Sequence, residues 1–99
     1  MLGRPLVAAL ALLALHAHAQ ENAVVRSLAA TCANCHGTDG HSVTQEVVSL
    51  AGLPKDDIVA KMRAFRDGTR EATVMQQIAK GYSDQQIELL ADYFSRRPR

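Results

Sequence analysis

Cys32-Ala33-Asn34-Cys35-His36 is the stretch on which the reading of this chain turns. Two thiols three residues apart, followed at once by an imidazole, admit four chemistries. At the end of a helix the pair presents both sulfurs on one side, where they can tether a haem through two thioether bonds while His36 binds the iron. A thioredoxin-like redox pair has the same spacing but follows a strand in a βαβ unit. A zinc site needs four ligands, which Cys32, Cys35, His36 and His41 would have to supply together. A Cys32–Cys35 disulfide would close a very short loop and stabilise the chain little. The motif favours covalent haem, and the other three stay as competitors until the surrounding structure is known.

Working outward, the chain reads as helical, with no convincing strand. Val24, Val25, Leu28 and Ala29 follow a 3.6-residue period, which predicts a first helix from about Asn22 to the cysteines. Residues 36–52 have no sustained period and read as an irregular loop. Pro54 stands where a helix can begin, Ile58, Met62 and Phe65 form an i, i+4, i+7 stripe, and Gly68 is a stop signal. A short third helix is expected over about Ala72 to Lys80, capped by Gly81. Ser83 with Gln86 three residues later has the form of a capping box. The last helix then places Ile87, Leu90, Ala91 and Phe94 on one face, and Arg96, Arg97 and Arg99 close the chain with charges that suit a helix C-terminus. The expectation is one all-α domain over residues 20–99.

Residues 1–19 have a different character. Arg4 is followed by the unbroken apolar run Leu6–Leu15, and Ala17-His18-Ala19 offers small residues before a cut. The run is shorter than the roughly twenty residues that span a bilayer. It reads as a signal peptide cleaved after Ala19, with an uncleaved anchor as the alternative. Either way the domain is exported, and in a bacterium the expected compartment is the periplasm. Fourteen of these nineteen residues are apolar, against 33 of the remaining 80, so the 47% apolar content of the 99-residue chain overstates the core of the working domain. With Arg4 set aside, ten basic residues face ten acidic ones. That balance excludes a nucleic-acid module, which needs a basic excess. An 80-residue domain with four aromatic residues has a thin core, and a porphyrin would supply the missing apolar surface.

The ligand opposite His36 determines what such a haem does. A methionine sulfur raises the potential and excludes small molecules, which suits electron transfer, whereas an open position suits gas binding or peroxide chemistry. Met62 lies on the same stripe as Ile58 and Phe65, where methionine is ordinary core filler. His41 is five residues from His36, too close to reach the far face, and reads as an exposed loop residue. Met75 is distant in sequence and is the preferred distal ligand. The second nitrogen of His36 should donate to a carbonyl, for which residues 46–53 are the natural source. Arg70, Lys61 and Tyr82 are candidates to pair with haem propionates, although each is equally an ordinary surface residue.

The run Leu28-Ala29-Ala30-Thr31-Cys32-Ala33-Asn34-Cys35-His36-Gly37-Thr38-Asp39-Gly40 resembles the haem-attachment segment of small class I bacterial c-type cytochromes. The later run Thr73-Val74-Met75-Gln76-Gln77-Ile78-Ala79-Lys80-Gly81-Tyr82-Ser83 is similar to the methionine-ligand segment of one branch, the cytochrome subunit of flavocytochrome c sulfide dehydrogenase. Phe65-Arg66-Asp67-Gly68 and Ala91-Asp92-Tyr93-Phe94 are similar to it as well, and the likeness covers nearly all of residues 26–95. The resemblance implies a class I cytochrome c-like fold of about four helices around one haem c. Cys32 and Cys35 would carry the thioethers, His36 would be the proximal ligand and Met75 the distal one. It also implies a flavoprotein partner that holds FAD, oxidises sulfide and delivers electrons singly, with a downstream cytochrome or membrane complex as acceptor. One departure stands out: the segment Ser49-Leu50-Ala51-Gly52 follows Val48, where the family usually has a proline whose carbonyl receives the hydrogen bond of the proximal histidine. The alternatives are a free-standing electron shuttle and, from another class, an open-site haem enzyme or sensor. No substrate chemistry of its own and no membrane span after cleavage are expected.

Overall fold

The computed structural model describes residues 23–99, so the expected leader at residues 1–19 lies outside the described residues. Five α-helices follow one another, and no strand occurs among the described residues: α1, described over residues 23–30, α2 (Ala33–His36), α3 (Lys55–Asp67), α4 (Met75–Ala79) and α5 (Asp84–Ser95). A 3₁₀ turn at Thr38–Gly40 lies between α2 and α3. No helix among the described residues is long and apolar enough to cross a membrane.

One core holds the helices together. Ala29 of α1, Ile58 and Val59 of α3, and Ile87, Leu90, Ala91 and Phe94 of α5 form a single buried cluster. The α5 face is the one that the 3.6-residue period picks out, because residues three and four apart lie on one side of a helix. Met62 packs half-buried against this cluster, as the stripe on α3 implies. The core is small, and Ile87 is its largest completely buried side chain.

Local chemistry sets most of the helix ends. Pro54 (φ −56°) is the N-cap of α3, where its lack of an N–H costs no intrahelical bond. Gly68 ends α3 in the left-handed conformation (φ 78°), with its N–H directed at the carbonyls of Ala64 and Phe65. The capping box of α5 is complete: Gln86 N–H donates to Ser83 Oγ at 3.2 Å, and Ser83 N–H donates to Gln86 Oε1 at 3.0 Å. Arg63 and Arg66 of α3 pair with Asp84 and Glu88 of α5 across the seam. Asp84 is exposed and the other three only partly covered, so their contribution is to alignment more than to stability.

Three expectations need correction. The first helix does not run unbroken to the cysteines, because a turn at residues 31–32 separates α1 from α2. The helix expected over Ala72–Lys80 is confined to Met75–Ala79. Thr73 and Val74 are β-branched and poor helix formers; Val74 (φ −130°, ψ −23°) is neither helical nor extended, and the Gln76 side chain donates back to the Arg70 carbonyl at 2.8 Å. Gly81 is not a left-handed cap either: Lys80 ends α4 in the right-handed helical region, and Gly81 N–H simply closes a turn on Ile78 O.

Candidate functional site

The turn at residues 31–32 places Cys32 at the N-cap of α2, with Cys35 and His36 within that four-residue helix. His36 N–H and Gly37 N–H close this turn on the carbonyls of Cys32 and Ala33, at 2.8 and 3.1 Å. Both cysteines are free thiols, Cys32 half-buried and Cys35 exposed. Burial pushes the Cys32 thiol above its ordinary value, partly offset by the hydroxyl of Thr31.

His36 is held in a defined tautomer. Its Nδ1 lies 2.6 Å from the carbonyl oxygen of Val48, and a carbonyl can only accept, so Nδ1 donates. The lone pair is thereby left on Nε2, the state a ring nitrogen needs in order to bind a metal. The carbonyl comes from within the 46–53 segment, and its place at residue 48 does not require a proline.

That carbonyl is positioned by Gly40. Leu50 N–H and Ala51 N–H both donate to Gly40 O, at 2.8 and 3.2 Å. Gly40 is buried with φ +81°, and a Cβ there would lie 2.9 Å from Ala51 N and 2.9 Å from Phe94 Cδ1. Only glycine meets both demands without strain. The preceding residue, Asp39, also has a positive φ (53°), and its carboxylate accepts from Tyr93 Oη at 2.9 Å. Burial first, and then this bond, raise the Tyr93 hydroxyl above the usual tyrosine range.

The competing readings of the cysteines fare differently. No strand precedes the motif among the described residues, which removes the thioredoxin-like context. No group of three or more His, Cys, Asp or Glu side chains among the described residues is arranged to hold a metal ion. His41, exposed as expected, turns its Nε2 to the Pro98 carbonyl at 2.6 Å and does not join Cys32, Cys35 and His36.

Met75 is the first residue of α4 and is half-buried. The propionate candidates are otherwise engaged: the Tyr82 hydroxyl is 2.8 Å from Thr31 Oγ1, and the Arg70 guanidinium lies over the Phe65 ring at 5.3 Å. Lys61 is an exposed residue of α3. The Thr31–Tyr82 and Tyr93–Asp39 bonds carry no sequence signature, because their partners are 51 and 54 residues apart.

The donor set fits a covalently tethered haem: two free thiols on one short helix and a neighbouring imidazole whose Nε2 is available. The apolar surface fits as well. Val48, beside the histidine segment, is 61% exposed, and Val74 and Ile78, either side of Met75, are 52% and 42% exposed. Uncovered apolar side chains flanking both segments are what a large flat apolar group would bury.

Comparisons with known proteins agree with this geometry. The family model for cytochrome c matches residues 23–96. The chain is 42% identical over 67 residues to the cytochrome subunit of sulfide dehydrogenase of Chlorobaculum tepidum, covering 68% of this chain and 60% of that protein. It is 37% identical to cytochrome c-554(548) of Halomonas halodenitrificans, over 66% of this chain and 82% of that one. It is 39% identical to the thiosulfate dehydrogenase electron acceptor of Thiomonas intermedia, over 69% of this chain and 32% of that protein.

Proposed function

The chain belongs to the cytochrome c family, and on that premise we propose that it serves as the electron-accepting subunit of a sulfide-oxidising flavoprotein complex in the bacterial periplasm. The coarser function needs no proposal: it is a monohaem electron carrier, and its cofactor is covalently bound haem c. The observation that carries the finer reading is the 42% identity to a sulfide dehydrogenase cytochrome subunit, across two thirds of this chain.

In this reading Cys32 and Cys35 would hold the haem by thioether bonds, and His36 Nε2 and the Met75 sulfur would bind its iron. Bound there, haem c supplies a one-electron couple between ferric and ferrous iron. The chain's own groups set the conditions for that couple. The Val48 carbonyl orients His36 and strengthens it as a donor through the Nδ1–H bond. A thioether sulfur at Met75 favours the reduced state and closes the position to small ligands. Val48, Val74 and Ile78, exposed on their own, would be covered by the haem and would then keep water from the site and lower its dielectric, which also favours the less charged form. An electron carrier needs a docking face more than a substrate pocket. The near-neutral charge of the chain gives little long-range steering, in keeping with a complex held by contact area.

The test is isolation from the native periplasm. A flavin-containing chain should co-purify and reduce the cytochrome when sulfide is added. A monomer indifferent to such a chain refutes the subunit reading and leaves the free shuttle. Met75→Ala should lower the potential and let carbon monoxide bind the reduced protein at neutral pH, which the unsubstituted protein should not allow. Carbon monoxide binding without the substitution would instead support an open-site enzyme or sensor.

A further inference from the structure

Tyr82 lies three residues beyond the end of α4 and is held at three points. Its N–H donates to Ala79 O at 3.2 Å, its carbonyl accepts from Arg66 Nη1 at 3.5 Å, and its hydroxyl meets Thr31 Oγ1 at 2.8 Å. Arg66 is itself fixed, with Nη2 donating to Asp84 Oδ1 at 2.7 Å. Thr31 directly precedes Cys32, and its hydroxyl hydrogen is directed to Leu28 O at 3.3 Å. The Tyr82 hydroxyl is therefore the donor to Thr31. Among the described residues this is the one hydrogen bond that ties residues 72–82 to residues 23–37.

The tie matters because of what it spans. Cys32, Cys35 and His36 stand on one side of it and Met75 on the other, and α4 is only five residues long. A helix that short does not hold itself in water, so its position depends on contacts to the rest of the fold. α4 packs on α3 and Arg66 holds the Tyr82 carbonyl just beyond it, while the Tyr82 hydroxyl supplies the hydrogen bond to the cysteine segment.

We infer that the Tyr82–Thr31 hydrogen bond is a clasp that keeps Met75 within reach of the iron held by His36, which makes Tyr82 a positioning residue for the distal ligand. This rests on the reading of Met75 as that ligand. Opening the clasp lets α4 move away more readily, so a competing ligand displaces the methionine at lower concentration. A net hydrogen bond in this setting corresponds to about a fivefold change in an equilibrium.

The test uses the haem-loaded full chain in its oxidised form, with imidazole as the competitor and the methionine–iron charge-transfer band as the signal. Tyr82→Phe keeps the ring and its packing, and should lower the imidazole concentration at half-displacement about fivefold. Thr31→Val should do the same, the double variant should add nothing to either single one, and Thr31→Ser should restore the original midpoint. A Tyr82→Phe midpoint equal to that of the unsubstituted protein, with only the melting temperature lowered, overturns the clasp and leaves Tyr82 a structural residue. Simple additivity of the two substitutions overturns it too. An unsubstituted protein that lacks the band, and that Met75→Ala does not change, overturns the ligand reading and the clasp with it.

Discussion

Replacing Gly40 by alanine should cost far more than the same change at Gly68, although both glycines have nearly the same backbone. Gly40 has φ +81° and Gly68 φ +78°. Forcing an L side chain into that region costs roughly 1–2 kcal/mol at either position. The surroundings then separate them. Around Gly68 a Cβ meets nothing within 4 Å. At Gly40 it would stand 2.9 Å from Ala51 N, 2.9 Å from Phe94 Cδ1 and 3.2 Å from Leu50 Cβ. None of these is the free end of a flexible side chain, so the loop must shift against a buried ring, and such overpacking adds roughly 1–3 kcal/mol. Gly40→Ala should therefore cost about 2–5 kcal/mol and Gly68→Ala about 1–2 kcal/mol. Guanidinium unfolding of the haem-loaded protein, followed by circular dichroism, measures both. Because Leu50 and Ala51 hang from Gly40 O, two and three residues past Val48, Gly40→Ala should also move the reduction potential by disturbing the His36 bond. Gly68→Ala should leave the potential alone. Equal destabilisation by the two substitutions, or an unaltered potential in Gly40→Ala, would refute this account of Gly40.

Two further outcomes are expected. Ser83→Ala removes one half of the capping box on α5 and should lower stability by about 1 kcal/mol; an unchanged denaturation midpoint would show that Gln86 alone suffices. Tyr93 is raised by burial and by Asp39, so the folded state retains a proton that the unfolded chain releases near pH 10. Its contribution is then complete below about pH 10 and disappears as pH climbs through the higher folded value. The stability of the reduced protein should fall more steeply over that range than that of Tyr93→Phe, and parallel profiles would sink the idea.

What the chain disclosed before its structure was known follows the range of the interactions involved. The capping box, the Gly68 stop and the core face of α5 rest on residues within one or two helical turns, and each left a local pattern. The cysteine motif is equally local, since both thiols and the imidazole lie on one short helix and its N-cap. The start of α4 is less legible, because Thr73 and Val74 resist helix while neighbouring residues allow it, and the Gln76–Arg70 contact at that end has no mark in the sequence. Tyr93–Asp39 and Tyr82–Thr31 were beyond reach, because nothing in the vicinity of any of the four residues announces a partner more than fifty positions away. The acceptor for His36 fell between these cases. The segment could be anticipated, but a main-chain oxygen looks the same at every position.

That sameness has an evolutionary consequence. The group that orients His36 is a carbonyl, which all twenty amino acids carry, so the hydrogen bond makes no demand on the side chain of residue 48. Selection on the histidine bond therefore cannot see which side chain stands there, only the path of the backbone. The demand moves to Gly40, whose carbonyl holds that path and where a Cβ is costly. By this reasoning the histidine bond survives with valine at residue 48, as long as Gly40, eight residues earlier, keeps the loop on its path.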